Sequence, residues 1–219
     1  MDNIFLDDSY FERMESLKQR NFNRWKVEAL GEFVTLDKLV FTNWKVEDFN
    51  HEEIKGQLMC GLDFGFVNDI SAFVASLLVE DEKRIYIFKE YGDTGKTNKD
   101  LIIIITALGF SKSVIIADAA EPKSIAEIKS GGIQRIRACK KGPDSIIHGI
   151  QQLQNYELIV HPSCEGVRCE LENYSWQRDK QSGEYVNKPV DMFNHFLDAL
   201  RYSLQSITAR LKTMDKNLF

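Results

Sequence analysis

Leu58–Phe64, Ala72–Val79 and Arg84–Tyr91 are three apolar segments of strand length with little chain between them, the last two joined by the charged turn Glu80–Lys83. Connections this short leave no room for a crossover helix, so the three segments form an antiparallel meander. After Tyr91 the rhythm changes. A helix near Asn98–Leu108 is followed by the apolar strand Val114–Ala117, which ends on Asp118, and then by a helix Ser124–Ser130 stopped by Gly131-Gly132. The strand Ile133–Arg137, a helix Asp144–Asn155 and a short buried strand Leu158–Val160 complete this stretch. Strands that alternate with helices pair in parallel. The fold class is therefore α/β: a mixed sheet, antiparallel meander first and parallel strands after it, flanked by helices.

Two further features follow. Tyr174–Arg178 and Glu184–Val186 alternate around the polar tip Asp179–Gly183, which predicts an auxiliary β-hairpin. Pro189 breaks that pattern, and Asp191 is placed to cap a long final helix running to about Leu211, with an apolar stripe at Phe193, Leu197, Leu200, Leu204, Ile207 and Leu211. Residues 1–56 differ from the rest. Ser9 can cap a helix to about Arg20, but Trp25, Phe33, Phe41 and Trp44 follow at irregular spacing and supply no independent core. The expected division is an N-terminal arm over 1–56 and one domain over 57–219.

Hydrophobic residues at 43% are enough for a core, and a net charge of −5 argues against a generally basic nucleic-acid coat while leaving room for a local basic strip. Cys60, Cys139, Cys164 and Cys169 form no CxxC pair, and reduced thiols are the plain reading. His161, Cys164 and Cys169 are spaced like half of a zinc site, but no clear fourth ligand follows. The N-terminus is acidic and unlike a signal peptide, and the apolar run Leu101–Ile105 is too short to span a bilayer, so a soluble intracellular protein with no membrane partner is expected.

Candidate chemistry lies in the acids. Asp63 and Asp118 each close an apolar strand, where a carboxylate needs water, a donor or a cation. Either alone also reads as a turn cap. Asp191, His195 and Asp198 stand at i, i+4 and i+7 and would share one helical face, although any amphipathic helix has a polar face. Asp69 reads as a turn residue. Gly95-Lys96-Thr97 imitates a nucleotide loop, but Glu90 stands where the first glycine would be needed, so it reads as a polar turn entering a helix. Lys129, Arg135, Arg137, Lys140 and Lys141 form a basic run that is either a solvated face or a contact for DNA phosphates. Tyr174 and Trp176 have faces for stacking on bases, with hairpin packing the simpler role.

Taken in order, the Gly61-Leu62-Asp63-Phe64-Gly65 strand, the strand-end Asp118 and the helix Asn194-His195-Phe196-Leu197-Asp198-Ala199-Leu200-Arg201-Tyr202 resemble the acidic motifs of terminase large-subunit nuclease domains of tailed bacteriophages, which have a ribonuclease H-like fold. The string Trp25–Phe33, followed by Leu39-Val40-Phe41 and Trp44, resembles the segment that leaves the packaging ATPase. The resemblance implies a divalent-metal-dependent endonuclease that cuts double-stranded DNA concatemers during genome packaging in the cytoplasm of the infected host. It implies that Asp63, Asp118 and Asp198 hold one or two Mn2+ or Mg2+ ions and that His195 ligates or moves a proton. Asp191 stands between helix cap and outer ligand. The implied partners are double-stranded DNA, the packaging ATPase domain, the small terminase subunit and the portal. Two other readings stay open: a docking module without catalysis, and another ribonuclease H-like nuclease such as a resolvase.

Overall fold

Every second residue of a strand faces the same side of its sheet, and that alternation organises this fold around β2, Gln57–Asp63. The computed structural model describes residues 10, 11, 13–15, 25, 29, 38–65, 69–179 and 181–207. β2 pairs antiparallel with β3 (Ile70–Val79), which pairs antiparallel with β4 (Arg84–Thr94). The other neighbours are parallel: β5 (Ile115–Ala117) on β2, β6 (Ile136–Ala138) on β5, and β7 (Glu157–Val160) on β4. β1 (Trp44–Val46) adds to β7 in parallel, giving a seven-stranded sheet in the order β1-β7-β4-β3-β2-β5-β6. This is the mixed sheet expected from the sequence.

One face of the sheet carries Cys60, Leu62, Phe73, Ala75, Ile115 and Ala117. It is covered by Leu101 and Ile105 of α1 (Asn98–Ala107) and by Ile125 and Ile128 of α2 (Pro122–Ser130). Each buried Leu, Ile or Phe among these stabilises the fold by about 1.5–3 kcal/mol. α1 starts at a capping box: Thr97 accepts from the Asp100 backbone, and the Asp100 carboxylate accepts from the Thr97 backbone at 2.9 Å. Gly95, at φ +65°, turns the chain into that cap, and Lys96 pairs with Asp93 at 2.8 Å. The Gly95-Lys96-Thr97 triplet is thus a turn and a helix start. Glu90 points elsewhere: its carboxylate accepts from the backbone nitrogens of Gly166 and Val167, at 2.7 and 2.8 Å, in the first turn of α4 (Glu165–Asn173).

On the opposite face lies α5 (His195–Ser203), packed on β2, β3 and β5. It approaches β2 closely. A Cβ built on Gly61 would stand 1.8 Å from the Ala199 carbonyl oxygen, so only glycine permits the approach. α3 (Ser145–Gln154) lies beside α5, with Gly149 against the aliphatic part of Arg201. Phe196, the second residue of α5, fits against Gly92 and Gly166, where Cβ atoms would come within 2.3 and 2.5 Å of its ring.

The chain forms two compact units, residues 43–168 with 194–219, and residues 1–42 with 169–193. Residues 43–56, which the sequence placed in the arm, therefore belong with the sheet, through the pairing of β1 with β7. In the second unit β8 (Trp176–Arg178) pairs antiparallel with β9 (Tyr185–Pro189) as the expected hairpin, with Pro189 ending the strand rather than lying beyond it. Tyr174 is buried there, stacked on Phe41 with centroids 6.3 Å apart, which gives it a packing role. Of the helix expected from Ser9, residues 10, 11 and 13–15 are described and are helical; its other residues, most of the Trp25–Phe33 string, and Leu211 lie outside the described residues.

Four elements depart from the sequence reading. The final helix starts at His195, because Phe193 takes the left-handed φ of +58°, which a helix does not continue through. Asp191 is therefore an exposed residue before the helix and not its cap, and the expected face shrinks to His195 and Asp198. The strand placed at Ile133–Arg137 is shifted to Ile136–Ala138. α4 and β1 had no strong signal in the sequence.

The Gly61 contact yields a stability test. Gly61→Ala should lower unfolding free energy by about 3 kcal/mol or more, because the clash is with backbone and no side chain can move aside. Gly142→Ala, at a position where a Cβ meets nothing within 4 Å, should stay within about 0.5 kcal/mol of the parent. Urea denaturation of both variants measures the difference.

Candidate active site

Gly61 and Ile116 are register partners on the parallel strands β2 and β5. Two residues further along come Asp63 and Asp118, so alternation puts both carboxylates on the α5 face at neighbouring strand ends. The Asp118 backbone nitrogen donates to the Leu62 carbonyl at 3.1 Å, which carries the pairing up to the acid itself. α5 then brings His195 and Asp198, three residues apart and on one helical side, to the same face.

His195 Nδ1 lies 3.0 Å from Asp63 Oδ2. Asp198 Oδ1 accepts from Arg201 Nε at 3.1 Å and from Nη2 at 3.0 Å. Asp118 Oδ1 accepts from the Ala120 backbone at 3.0 Å and pairs with the Lys141 ammonium. Burial pushes the Asp63 carboxyl up to about 6; the hydrogen bond from His195 opposes this, and the charges of Asp198 and Asp118 add to it. Asp198 is also raised, by burial first, with Arg201 pulling down and Asp118 pushing up. The three acids thus sense one another's charge.

Among the described residues, no three His, Cys, Asp or Glu side chains are already gathered as a metal cage. The donor set nevertheless suits a hard divalent ion: carboxylate oxygens that repel each other, with one imidazole beside them. The residues of the basic run do not all lie on one side of the sheet. Lys141 reaches the acids. Arg137 is the register partner of Ile116 and so faces their side of the sheet from the edge strand. Lys129 is on α2, across the sheet from the acids, and Arg135 Nη1 donates to the Lys112 carbonyl at 3.3 Å. Lys140 is exposed, with its backbone held by Gln205.

Two pairings in the site were not read from the sequence. Arg201 was readable in principle, since Asp198 and Arg201 are spaced i, i+3 on a helix. The pairing of Lys141 with Asp118 had no local signal, because it depends on the register of β6. The zinc reading gains nothing from the structure. The Cys164 thiol is buried and pushed up to about 12, and His161 contacts Asp48 at 3.2 Å and Ser163 at 2.7 Å.

A pH dependence follows for the metal-free protein. The Asp63 carboxyl ionises near 3.8 when unfolded and near 6 in the fold. Between these values the unfolded chain has released a proton that the folded chain keeps, so stability falls as pH rises, and the full cost is present above about 6. Asp63→Asn removes that cost. In chelator the variant should be about 1–3 kcal/mol more stable than the parent near pH 8, with the gain fading towards pH 4. Melting curves across this range that stay parallel for the two proteins would refute the assignment.

The family model for the terminase RNase H-like domain matches residues 63–206. The chain is 32% identical over 212 residues to the terminase large subunit of Bacillus phage SPP1, across 94% of this chain and 50% of that protein. It is 26% identical to the PBSX phage terminase large subunit of Bacillus subtilis strain 168, across 93% of this chain and 48% of that protein. It thus spans about half the length of the curated relatives it matches. Among solved structures, the nuclease domain of the SPP1 large terminase g2p, determined with bound Mn, aligns at a TM-score of 0.71 and 32% identity, covering 77% of this chain and 98% of that domain. The large terminase of a thermophilic bacteriophage shares the fold at 22% identity and a TM-score of 0.58, over 94% of this chain and 54% of its own. With most of the sheet, both strand-end acids and α5 inside the matched span, the chain belongs to the terminase RNase H-like domain family, the fold of phage large-terminase nuclease domains.

Proposed function

We propose that this chain is the nuclease part of a packaging terminase large subunit and hydrolyses phosphodiester bonds of double-stranded DNA concatemers with the help of Mn2+ or Mg2+. The observation that carries the reading is the placement of Asp63 and Asp118 on one face at adjacent parallel strand ends, with His195 and Asp198 brought to that face by α5. Asp63, Asp118 and Asp198 would hold the ion, with His195 beside them. When bound, such an ion neutralises the charge that develops on the scissile phosphate and makes water a stronger nucleophile. The chain's own groups prepare the place. Asp63 fixes the His195 ring through Nδ1, Arg201 fixes Asp198, and burial keeps bulk water from screening the charges.

The Mn bound to the SPP1 nuclease domain supports Mn2+ as an accepted ion, and so does the imidazole in the donor set. Asp191 is exposed ahead of α5, and an outer role in ion binding is proposed for it only through the resemblance. Residues 1–42, which lie outside the sheet unit, are read as the exit from a packaging ATPase domain, which makes that domain, the small subunit and the portal the proposed partners, with the host cytoplasm as the place of action. No helix among the described residues is long and apolar enough to cross a membrane.

Supercoiled plasmid incubated with Mn2+, Mg2+ or chelator tests the reaction and the cofactor together. Cleavage should need the ion, fall at least about a hundredfold in Asp63→Asn, Asp118→Asn and Asp198→Asn, and fall less in His195→Ala. DNA binding without any ion-dependent nicking would replace this reading with a docking module. The divided basic run gives a second measurement. Arg137→Gln should lower the slope of log K against log salt for DNA binding by about one, and Lys129→Gln should leave it unchanged. Equal effects from both would return the run to general surface charge.

A further inference from the structure

Two cations already stand on the acids of this site, and they differ in how they are held. Arg201 is 5% exposed. Its aliphatic stem fills the space that a side chain at Gly149 would take, its guanidinium lies 4.7 Å over the Tyr202 ring, and two of its nitrogens reach Asp198. Moving it would leave a cavity and an unpaired buried charge. Lys141 is 42% exposed. Only its root is fixed: the backbone of Lys140 is clamped by the Gln205 side chain, donating to Oε1 at 2.6 Å and accepting from Nε2 at 3.0 Å. Beyond it, a Cβ at Gly142 would meet nothing within 4 Å.

We propose that Lys141 is the counter-ion that stands in for a divalent cation at Asp118 in the metal-free protein, and that it yields the carboxylate when that cation binds. The clamp at Lys140 holds the root of the side chain near the acids, and the ammonium pairs with the Asp118 carboxylate, whose negative charge a bound cation would share. The Tyr202 ring, 5.8 Å from the ammonium, offers a resting place nearby once Asp118 is taken. Because the ammonium is partly in water, leaving Asp118 costs little. Lys141 is thus an exchangeable group that tunes ion affinity, whereas Arg201 is a fixed strut for Asp198.

The inference rests on the metal-binding reading, and its test separates the two. Mn2+ affinity is measured by electron paramagnetic resonance without DNA for the full chain, for Lys141→Gln, for Lys141→Arg and for Lys140→Gln. Removing a competitor should tighten binding in Lys141→Gln about three- to fivefold, and Lys141→Arg should return it towards the parent value. Lys140→Gln loses the same unit of charge one residue away and should stay near the parent. If Lys141→Gln binds as the parent does or more weakly, or if Lys140→Gln tightens binding equally, the counter-ion role is wrong while metal binding stands. If the parent chain and all variants bind no Mn2+, both readings fall.

Discussion

Because Gly61 has no side chain, the backbone of α5 at Ala199 can lie directly on β2, and the geometry of the acids depends on that contact. A helix packed on a sheet through side chains stands about 10 Å from it, too far for a short carboxylate on one layer to share an ion with the other. Here the layers nearly touch. His195 and Asp198, near the start of the helix, therefore reach the level of Asp63 and Asp118 at the strand ends. The ring of Phe196, lodged against Gly92 and Gly166, holds that start at a fixed height on the sheet. Three glycines far apart in the chain thus do one job, which is to let α5 sit close.

Close approach concentrates negative charge, and much of the remaining architecture answers that. Asp63 is 8% exposed and Asp198 is largely buried, so neither is well screened by water. Both carboxyls are raised by burial and by their neighbours. The fold offsets this with His195 on Asp63, Arg201 on Asp198 and Lys141 on Asp118, one positive or proton-donating group for each acid. A site optimised for stability alone would replace such acids with apolar residues. On the proposed function, keeping them fits a cation that enters the site.

Much of this was legible in the sequence, and the parts that were not share a cause. Leu58–Phe64, Ala72–Val79 and Val114–Ala117 are long or strongly apolar, so their strands and the acids at their ends could be read directly. Asp191 was misplaced because helical spacing was extended across Phe193, and nothing in the residue type announces a left-handed φ at a phenylalanine. α4 was missed because Glu165–Asn173 is polar, carries Gly166 in its first turn, and takes its cap from Glu90 on a distant strand. β1 has only three residues and is held by β7, more than a hundred residues away in the chain. Local pattern reports local causes; these elements are fixed by partners remote in sequence.

The same limit explains the basic run. Read along the chain, Lys129 to Lys141 looks like one patch, but two physical rules cut it apart. Helix α2 covers one face of the sheet, which sends Lys129 away from the acids. Alternation on β6 buries Ile136 in the core beneath α1 and α2 and so turns Arg137 to the other side, beside Ile116. On the proposed function, a phosphodiester presented to Asp63 and Asp118 would come to that other side, where Arg137 and Lys141 would be placed to meet its neighbouring phosphates. On the proposed function, the backbone of the bound strand then runs along the β5–β6 edge of the sheet. The two arginines nearest in sequence would then differ: Arg137 guides DNA, and Arg135, donating to the Lys112 carbonyl, ties the loop before β5 to the chain entering β6.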